Sequence, residues 1–216
     1  VVFARLVSKE TYGQYLFILS TMYMINFLGV PRFDVAVSQA VARGWEGSLW
    51  QAMRVSVGGS LVGGVILAVV ASRYASLGDP VLAQVLLVAA IFFPLWFGFK
   101  AYDAFLVGKK RFDMSAKLSA TSSIMTSAAV ICGIVLKQNA VGLIGLFLLV
   151  NAGMTPVWFW LTSRLPNNQR PDPGVVKFGL YLTGLAVVAS VVNQLGNVLM
   201  SHFKGVEILA TYGVAM

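Results

Sequence analysis

Two ionisable residues, Arg32 and Asp34, stand inside the otherwise uncharged stretch 11–42. A charge at bilayer depth is disfavoured by about 2.5–3.5 kcal/mol, so it faces protein or water and marks a pathway. A guanidinium in that setting contacts an anion. Spaced two apart, Arg32 and Asp34 point nearly opposite ways on a helix, and only one faces a cavity unless a kink at Pro31 turns them. The row of Arg32 continues to Ala36 and Gln39, that of Asp34 to Ser38. The plainer alternative is that both snorkel to an aqueous interface. Farther on, Ser190, Asn193, Asn197 and Ser201 repeat on one helical face with Gln194 alongside. Their amides suit either sugar hydroxyls or contacts between helices, at roughly 0.6 kcal/mol per bond. Asn151 and Thr155, four apart and followed by Pro156, suit the wall of a cavity at a helix break. Lys100 and Asp103 read as a local surface pair. The run Lys109-Lys110-Arg111 with Lys117 reads as a topology signal that also attracts anionic headgroups. His202 reads as structural. With a single cysteine, Cys132, and that one histidine, neither a disulfide framework nor a metal cage is expected, and no cofactor is implied.

The elements that must position these residues follow from composition. Of the chain, 58% is hydrophobic and 11% charged, against roughly 45–50% and roughly 25% in a soluble domain. The mean hydropathy is +0.80. This excludes a soluble enzyme, and the sparse, separated basic residues exclude a nucleic-acid partner despite a net charge of +8. Stretches long enough for a crossing, about 20 residues each, fall at 11–42, 55–72, 81–99, 118–136, 138–163 and 178–203. They are too long and too uniformly apolar for barrel strands. The fold class is therefore an all-α integral membrane protein, a polytopic helical bundle. Both termini are expected to lie inside membrane segments. Gly59 and Gly63 form a packing notch, Ser115, Ser119, Ser122, Thr126 and Ser127 a close-packing face, and Trp45, Trp50, Trp96, Trp158 and Trp160 interfacial anchors.

Arg5, Lys9, Arg73, Lys137 and Lys204 sort to one side. Arg43, Arg54, Lys100, Lys109, Lys110, Arg111, Lys117, Arg164, Arg170 and Lys177 sort to the other, which is expected to be cytoplasmic, with the full-length N-terminus there too. The proline-rich stretch after Arg164 reads as a linker. Thr11-Tyr12-Gly13 returns as Thr211-Tyr212-Gly213 after an even number of crossings, which suits parallel repeats of a two-lobed carrier.

The order of motifs resembles the Wzx-type polysaccharide-biosynthesis flippases of the multidrug/oligosaccharidyl-lipid/polysaccharide exporter superfamily. The resemblance runs from Ala4-Arg5-Leu6-Val7-Ser8-Lys9-Glu10-Thr11-Tyr12-Gly13-Gln14-Tyr15 through Leu28-Gly29-Val30 and Gln39-Ala40-Val41-Ala42-Arg43. It continues in Leu106-Val107-Gly108-Lys109-Lys110-Arg111-Phe112-Asp113, Phe203-Lys204-Gly205-Val206-Glu207 and Tyr212-Gly213-Val214-Ala215. It implies the N-terminal lobe of a carrier with two lobes of six or more helices. Residues 1–164 would carry the end of helix one through helix six, 165–176 the cytoplasmic linker, and 177–216 the start of the C-terminal lobe. The implied function is translocation of an undecaprenyl-pyrophosphate-linked oligosaccharide, the repeat unit of O-antigen, capsule or exopolysaccharide, across the bacterial inner membrane by alternating access. Arg32 would meet phosphate or acidic sugar, with Asp34, Asn151, Asn193, Gln194 and Asn197 as further substrate contacts. Many relatives carry aspartate where Asn197 stands, which puts ion coupling in doubt. Membrane lipid, a glycan polymerase and a chain-length regulator are the implied partners. A small-molecule exporter of the same superfamily is the alternative. A major facilitator is disfavoured because 43–48 lacks the glycine–aspartate–arginine signature. A membrane polymerase is disfavoured because the exterior loops are too short to hold acid/base residues, so no enzymatic activity is expected.

Overall fold

The computed structural model describes residues 9–30, 32–136, 139–165 and 168–204, without the side chains of 140, 188–191, 193–194, 196–197, 200 and 202–204. The described residues form helices α1 (Lys9–Ile25), α2 (Phe33–Ala42), α3 (Ser48–Ser76), α4 (Pro80–Gly98), α5 (Ala101–Gly108), α6 (Phe112–Val135), α7 (Ala140–Ser163) and α8 (Val175–Lys204). A 3-10 turn, Asn26–Gly29, continues α1. No strand occurs among them. Two helix starts are capped by side chains. Asp79 accepts the Leu82 amide at 3.0 Å ahead of Pro80, and Asn139 accepts the Gly142 amide at 2.9 Å.

Four runs are long and apolar enough to cross a membrane: α3, α4 with α5, α6, and α7 from Val141. A fifth is α1 joined to α2, bent by 45°. The last expected span is α8, apolar over Val175–Val187. This is a multi-pass, all-α membrane protein, with bulky apolar residues such as Val65, Ile91 and Leu185 standing outward where lipid replaces water.

Packing divides into two apolar cores. One gathers Phe17, Ile18, Met22, Leu67, Leu86, Phe93, Trp96, Phe97, Ile144 and Leu148 from α1, α3, α4 and α7. The other gathers Val30, Phe33, Val37, Leu49, Ala101, Phe105, Phe159 and Val175, from α2, α3, α5, α7 and the start of α8. Each interrupted span thus gives its first half to one core and its second half to the other, whereas α3 and α7 run through both. Glycines set the closest approaches. A Cβ on Gly59 would lie 1.8 Å from the Leu28 carbonyl oxygen, and one on Gly63 would lie 2.5 Å from the Phe93 ring, so the notch holds the 3-10 turn and α4 against α3. By contrast α6 touches only α5 and α7 substantially. Its serine face makes two cross-helix bonds, Trp158 to Ser122 Oγ at 2.8 Å and Ser115 to Asp103.

The basic end of the bundle is tied by long-range bonds. The Asn168 amide N–H donates to Glu46 Oε2 at 2.9 Å, its side-chain NH2 donates to the Gly44 carbonyl, and its Oδ1 accepts from the Glu46 amide at 3.3 Å. Gly47 donates to the Arg170 carbonyl at 2.9 Å, and the Asp172 amide donates to the buried Ser48 hydroxyl at 2.9 Å. Lys109 pairs with Glu46 at 3.1 Å. The described part of the linker therefore lies docked on the α2–α3 loop. Beyond it α8 packs on α1, α2 and α3, with Gly179 against the Phe33 ring. Pro31, Lys137, Pro166, Asn167 and both TYG repeats' surroundings at 1–8 and 205–216 lie outside the described residues.

Gly59→Ala in the full-length protein should destabilise it by about 1–3 kcal/mol through overpacking. Gly58→Ala, with open space around it, should leave the thermal unfolding midpoint in detergent unchanged. Equal midpoints for the two variants would remove the close approach at Leu28.

Candidate functional site

Two spans are interrupted, and their interruptions face each other. In the first, the 3-10 turn ends at Val30, a β-branched residue with φ 55° and ψ 60°. That left-handed conformation costs on the order of 1–3 kcal/mol and persists only where packing enforces it; Val30 is buried. The chain then re-enters helix at Phe33. In the second, α4 ends at Gly98, Phe99 and Lys100 make a turn, and α5 starts at Ala101. Between the breaks, at the border of the two cores, lies a cavity of about 400 Å³. That volume is within the ~300–1,000 Å³ of ordinary ligand pockets.

Its polar lining comes from both spans and from α3: Asn26, Asp34, Ser38, Ser56, Lys100 and Asp103. The charged ones share a placement. Asp34 occupies the first turn of α2 and Asp103 the first turn of α5, where exposed backbone amides and the helix dipole favour a carboxylate. Asp34 Oδ1 also accepts the Val35 amide at 2.7 Å. Asp103 is steadied by Ser115 from α6. Lys100 extends its ammonium over the Phe97 ring, 5.9 Å from the centroid, and both carboxylates act electrostatically on it. Ser38 donates to the Val35 carbonyl at 3.0 Å, and Ser56 is buried at 4% exposure. The arrangement offers acceptors, donors and hydroxyls together. With two carboxylates against one ammonium, it suits hydroxylic or cationic groups better than a bare anion.

The structure brings some of the expected residues here and not others. Asp34 and Ser38, one row on α2, both line the cavity. Arg32 precedes α2 as its exposed N-cap and is not among the lining residues. Asn151 donates its amide to the Phe147 carbonyl of its own helix at 2.8 Å, Thr155 donates to the Asn151 carbonyl, and neither lines the cavity. Asn193, Gln194 and Asn197 lie on α8, with side chains outside the described residues, as is that of His202. Lys100 and Asp103 are exposed, as expected, but form no ion pair with each other and line the cavity. Asn26 and Ser56 were not expected there. The one signal for them is position: Asn26 immediately precedes the glycine region, and Ser56 lies in the small-residue stretch of α3. Trp96 is 7% exposed rather than interfacial, packed on Phe97 and Phe147. Among the described residues no group of acidic, histidine and cysteine side chains is arranged to hold a metal.

The profile of a family described as "polysaccharide biosynthesis protein" matches residues 2–216. No curated protein and no solved structure matches the chain.

Water in the cavity is open to a chemical test in the full-length protein with Cys132→Ser. A thiol introduced by Ser38→Cys should react with a membrane-impermeant methanethiosulfonate about tenfold faster than one introduced by Ile91→Cys on the outward face of α4, because only a hydrated thiol ionises. Equal rates would mean that the cavity is dry.

Proposed function

The chain belongs to the polysaccharide biosynthesis protein family, and on that premise we propose that it carries an undecaprenyl-pyrophosphate-linked oligosaccharide from the cytoplasmic to the exterior leaflet. A glycan cannot cross hydrocarbon unaided, because each hydroxyl stripped of water without a new partner costs several kcal/mol. A carrier must supply those partners within the membrane and must change which side they face.

The observation that carries this reading is the polar cavity lined from both sides by residues at two helix breaks. Asp34 and Asp103 accept from sugar hydroxyls, Lys100 and Asn26 donate, and Ser38 and Ser56 do either. Arg32, one residue before the lining Phe33, is the proposed contact for phosphate or acidic sugar. Asn193, Gln194 and Asn197 on α8, which packs on α1 and α2, are proposed to extend the hydroxyl contacts. The basic end is assigned to the cytoplasm of a bacterial inner membrane because cationic loops are retained there. Alternating access would reorient the half-helices about their breaks, as in carriers whose sites are built from discontinuous helices. No covalent step is assigned to these residues; the role is that of a carrier.

A second reading rests on the carboxylate excess in the cavity, which favours a cationic small molecule and hence an exporter of that kind. Asp34→Asn in the full-length protein reconstituted in vesicles should slow movement of a labelled lipid-linked saccharide about tenfold, the effect of losing one hydrogen bond to a charged group (~1.5–3 kcal/mol). An unchanged rate removes Asp34 from the pathway. Extrusion of a cationic dye with no saccharide movement would establish the second reading instead.

A further inference from the structure

A second cavity, of about 560 Å³, lies at the basic end between the first two turns of α3 and the docked segment of the linker. It is lined by Gly47, Trp50, Gln51, Arg54, Gln169 and Pro171 and shares no residue with the first. Gly47, Trp50, Gln51 and Arg54 are spaced as one face of a helix, and the linker forms the opposite wall. That wall is fixed by the Gly47–Arg170 backbone bond and by an approach so close that a Cβ on Gly47 would lie 2.3 Å from the Gln169 carbonyl oxygen.

The lining has a definite chemistry. Arg54 is exposed and takes part in neither ion pair formed among the described residues. The Gln51 side chain lines the cavity, with its Oε1 enclosed by protein and without a hydrogen-bond partner. Trp50 is 40% exposed and is held edge-on by the Phe159 ring, with centroids 5.2 Å apart. Among the described residues no carboxylate lines the cavity. The nearest acids are engaged elsewhere, Glu46 by Lys109 and Asn168, and Asp172 by the Gly174 amide. Depth narrows the ligand class. At 29 residues, α3 is about 44 Å long, close to the ~40–45 Å of a bilayer with its headgroups. Its first two turns therefore sit among headgroups, where basic pockets between helices collect phosphates.

We propose that this cavity holds the headgroup of a lipid of net negative charge, with the phosphate on Arg54 and the glycerol or sugar face against Trp50. The chemistry is shared by a resident anionic phospholipid and by the phosphate end of a polyprenyl carrier. The assignment stands apart from the transport reading, because it concerns equilibrium binding at the rim.

The test is native mass spectrometry of the full-length protein in mild detergent, incubated separately with phosphatidylglycerol, phosphatidylcholine and undecaprenyl phosphate. Retained phosphatidylglycerol that falls about fivefold with Arg54→Gln, recovers with Arg54→Lys and is unaffected by Lys110→Gln would establish a phospholipid source. The same pattern for undecaprenyl phosphate alone would establish the carrier. Equal retention of phosphatidylcholine and phosphatidylglycerol with no preference for undecaprenyl phosphate would overturn the site. So would equal losses for Arg54→Gln and Lys110→Gln, since Lys110 is exposed at the same end but outside the cavity. Thermal midpoints of the variants separate a binding loss from a folding loss.

Discussion

An interrupted helix inside a bilayer leaves carbonyl and amide groups that lipid cannot satisfy, so it survives only against protein or water. That constraint organises this molecule. The break after Gly29 is backed by α3, whose Gly59 lets the Leu28 carbonyl come within the space that a side chain would fill. The break after Gly98 is likewise seated on α3, where a Cβ would lie 2.8 Å from Val57. With α3 behind both, the open sides of the two breaks converge on one volume, and a polar cavity is the consequence rather than an addition.

The charges follow from the same geometry. Restarting a helix at mid-span creates a new N-terminus with unpaired amides, and an acidic side chain in the first turn is the inexpensive way to answer them. Asp34 does so in α2, where it accepts the Val35 amide, Asp103 stands in the first turn of α5, and Lys100 lies close enough to both to offset part of their charge. Cationic side chains instead collect at the end of the bundle, where Lys109, Arg54 and Arg170 lie near water. The protein therefore presents a basic rim and a cavity richer in carboxylates, two environments that favour different parts of a ligand bearing both phosphate and hydroxyls.

The spans were legible in the sequence because hydrocarbon imposes length and apolarity on every crossing, and 55–72 or 118–136 advertise both. The row of Asp34 with Ser38 was visible in the spacing, but not that this row, rather than the one through Arg32, lines the cavity. That Lys100 and Asp103 line a cavity was not legible either. In a sequence a charge after a long apolar run marks the end of a span, yet this helix resumes through Gly108, and local spacing does not reveal which side of a resumed helix is covered. Asn151 looked available for the same reason; its choice of the Phe147 carbonyl is a rotamer choice with no sequence signature. Trp96 could anchor at an interface or fill a core, and only its packing against Phe147 decides. The composition after Arg164 pointed to a connecting segment, and residues 168–174 of it are non-helical. Its anchoring depends on Asn168 meeting Gly44 and Glu46 more than a hundred positions away, which no window along the chain can register.

Two of the helices that run unbroken through both cores are also weakened where other spans are interrupted. On α7, Pro156 lies between Ala152 of the first core and Phe159 of the second, and proline removes one rung of the hydrogen-bond ladder there. On α3, Gly58, Gly59, Gly63 and Gly64 fall between Ala52 of the second core and Leu67 of the first, and glycine lowers the resistance of a helix to bending. The α1–α2 and α4–α5 spans, α3 and α7 thus have their least rigid point near the cavity, whereas α8, with Val175 in the second core and Val198 packed on the first, runs as one helix. A small rotation of one core relative to the other would be taken up there, changing the shape of the cavity while both apolar clusters keep their contacts. Packed clusters resist deformation and breaks do not, so the site and the axis of any such motion coincide for one physical reason.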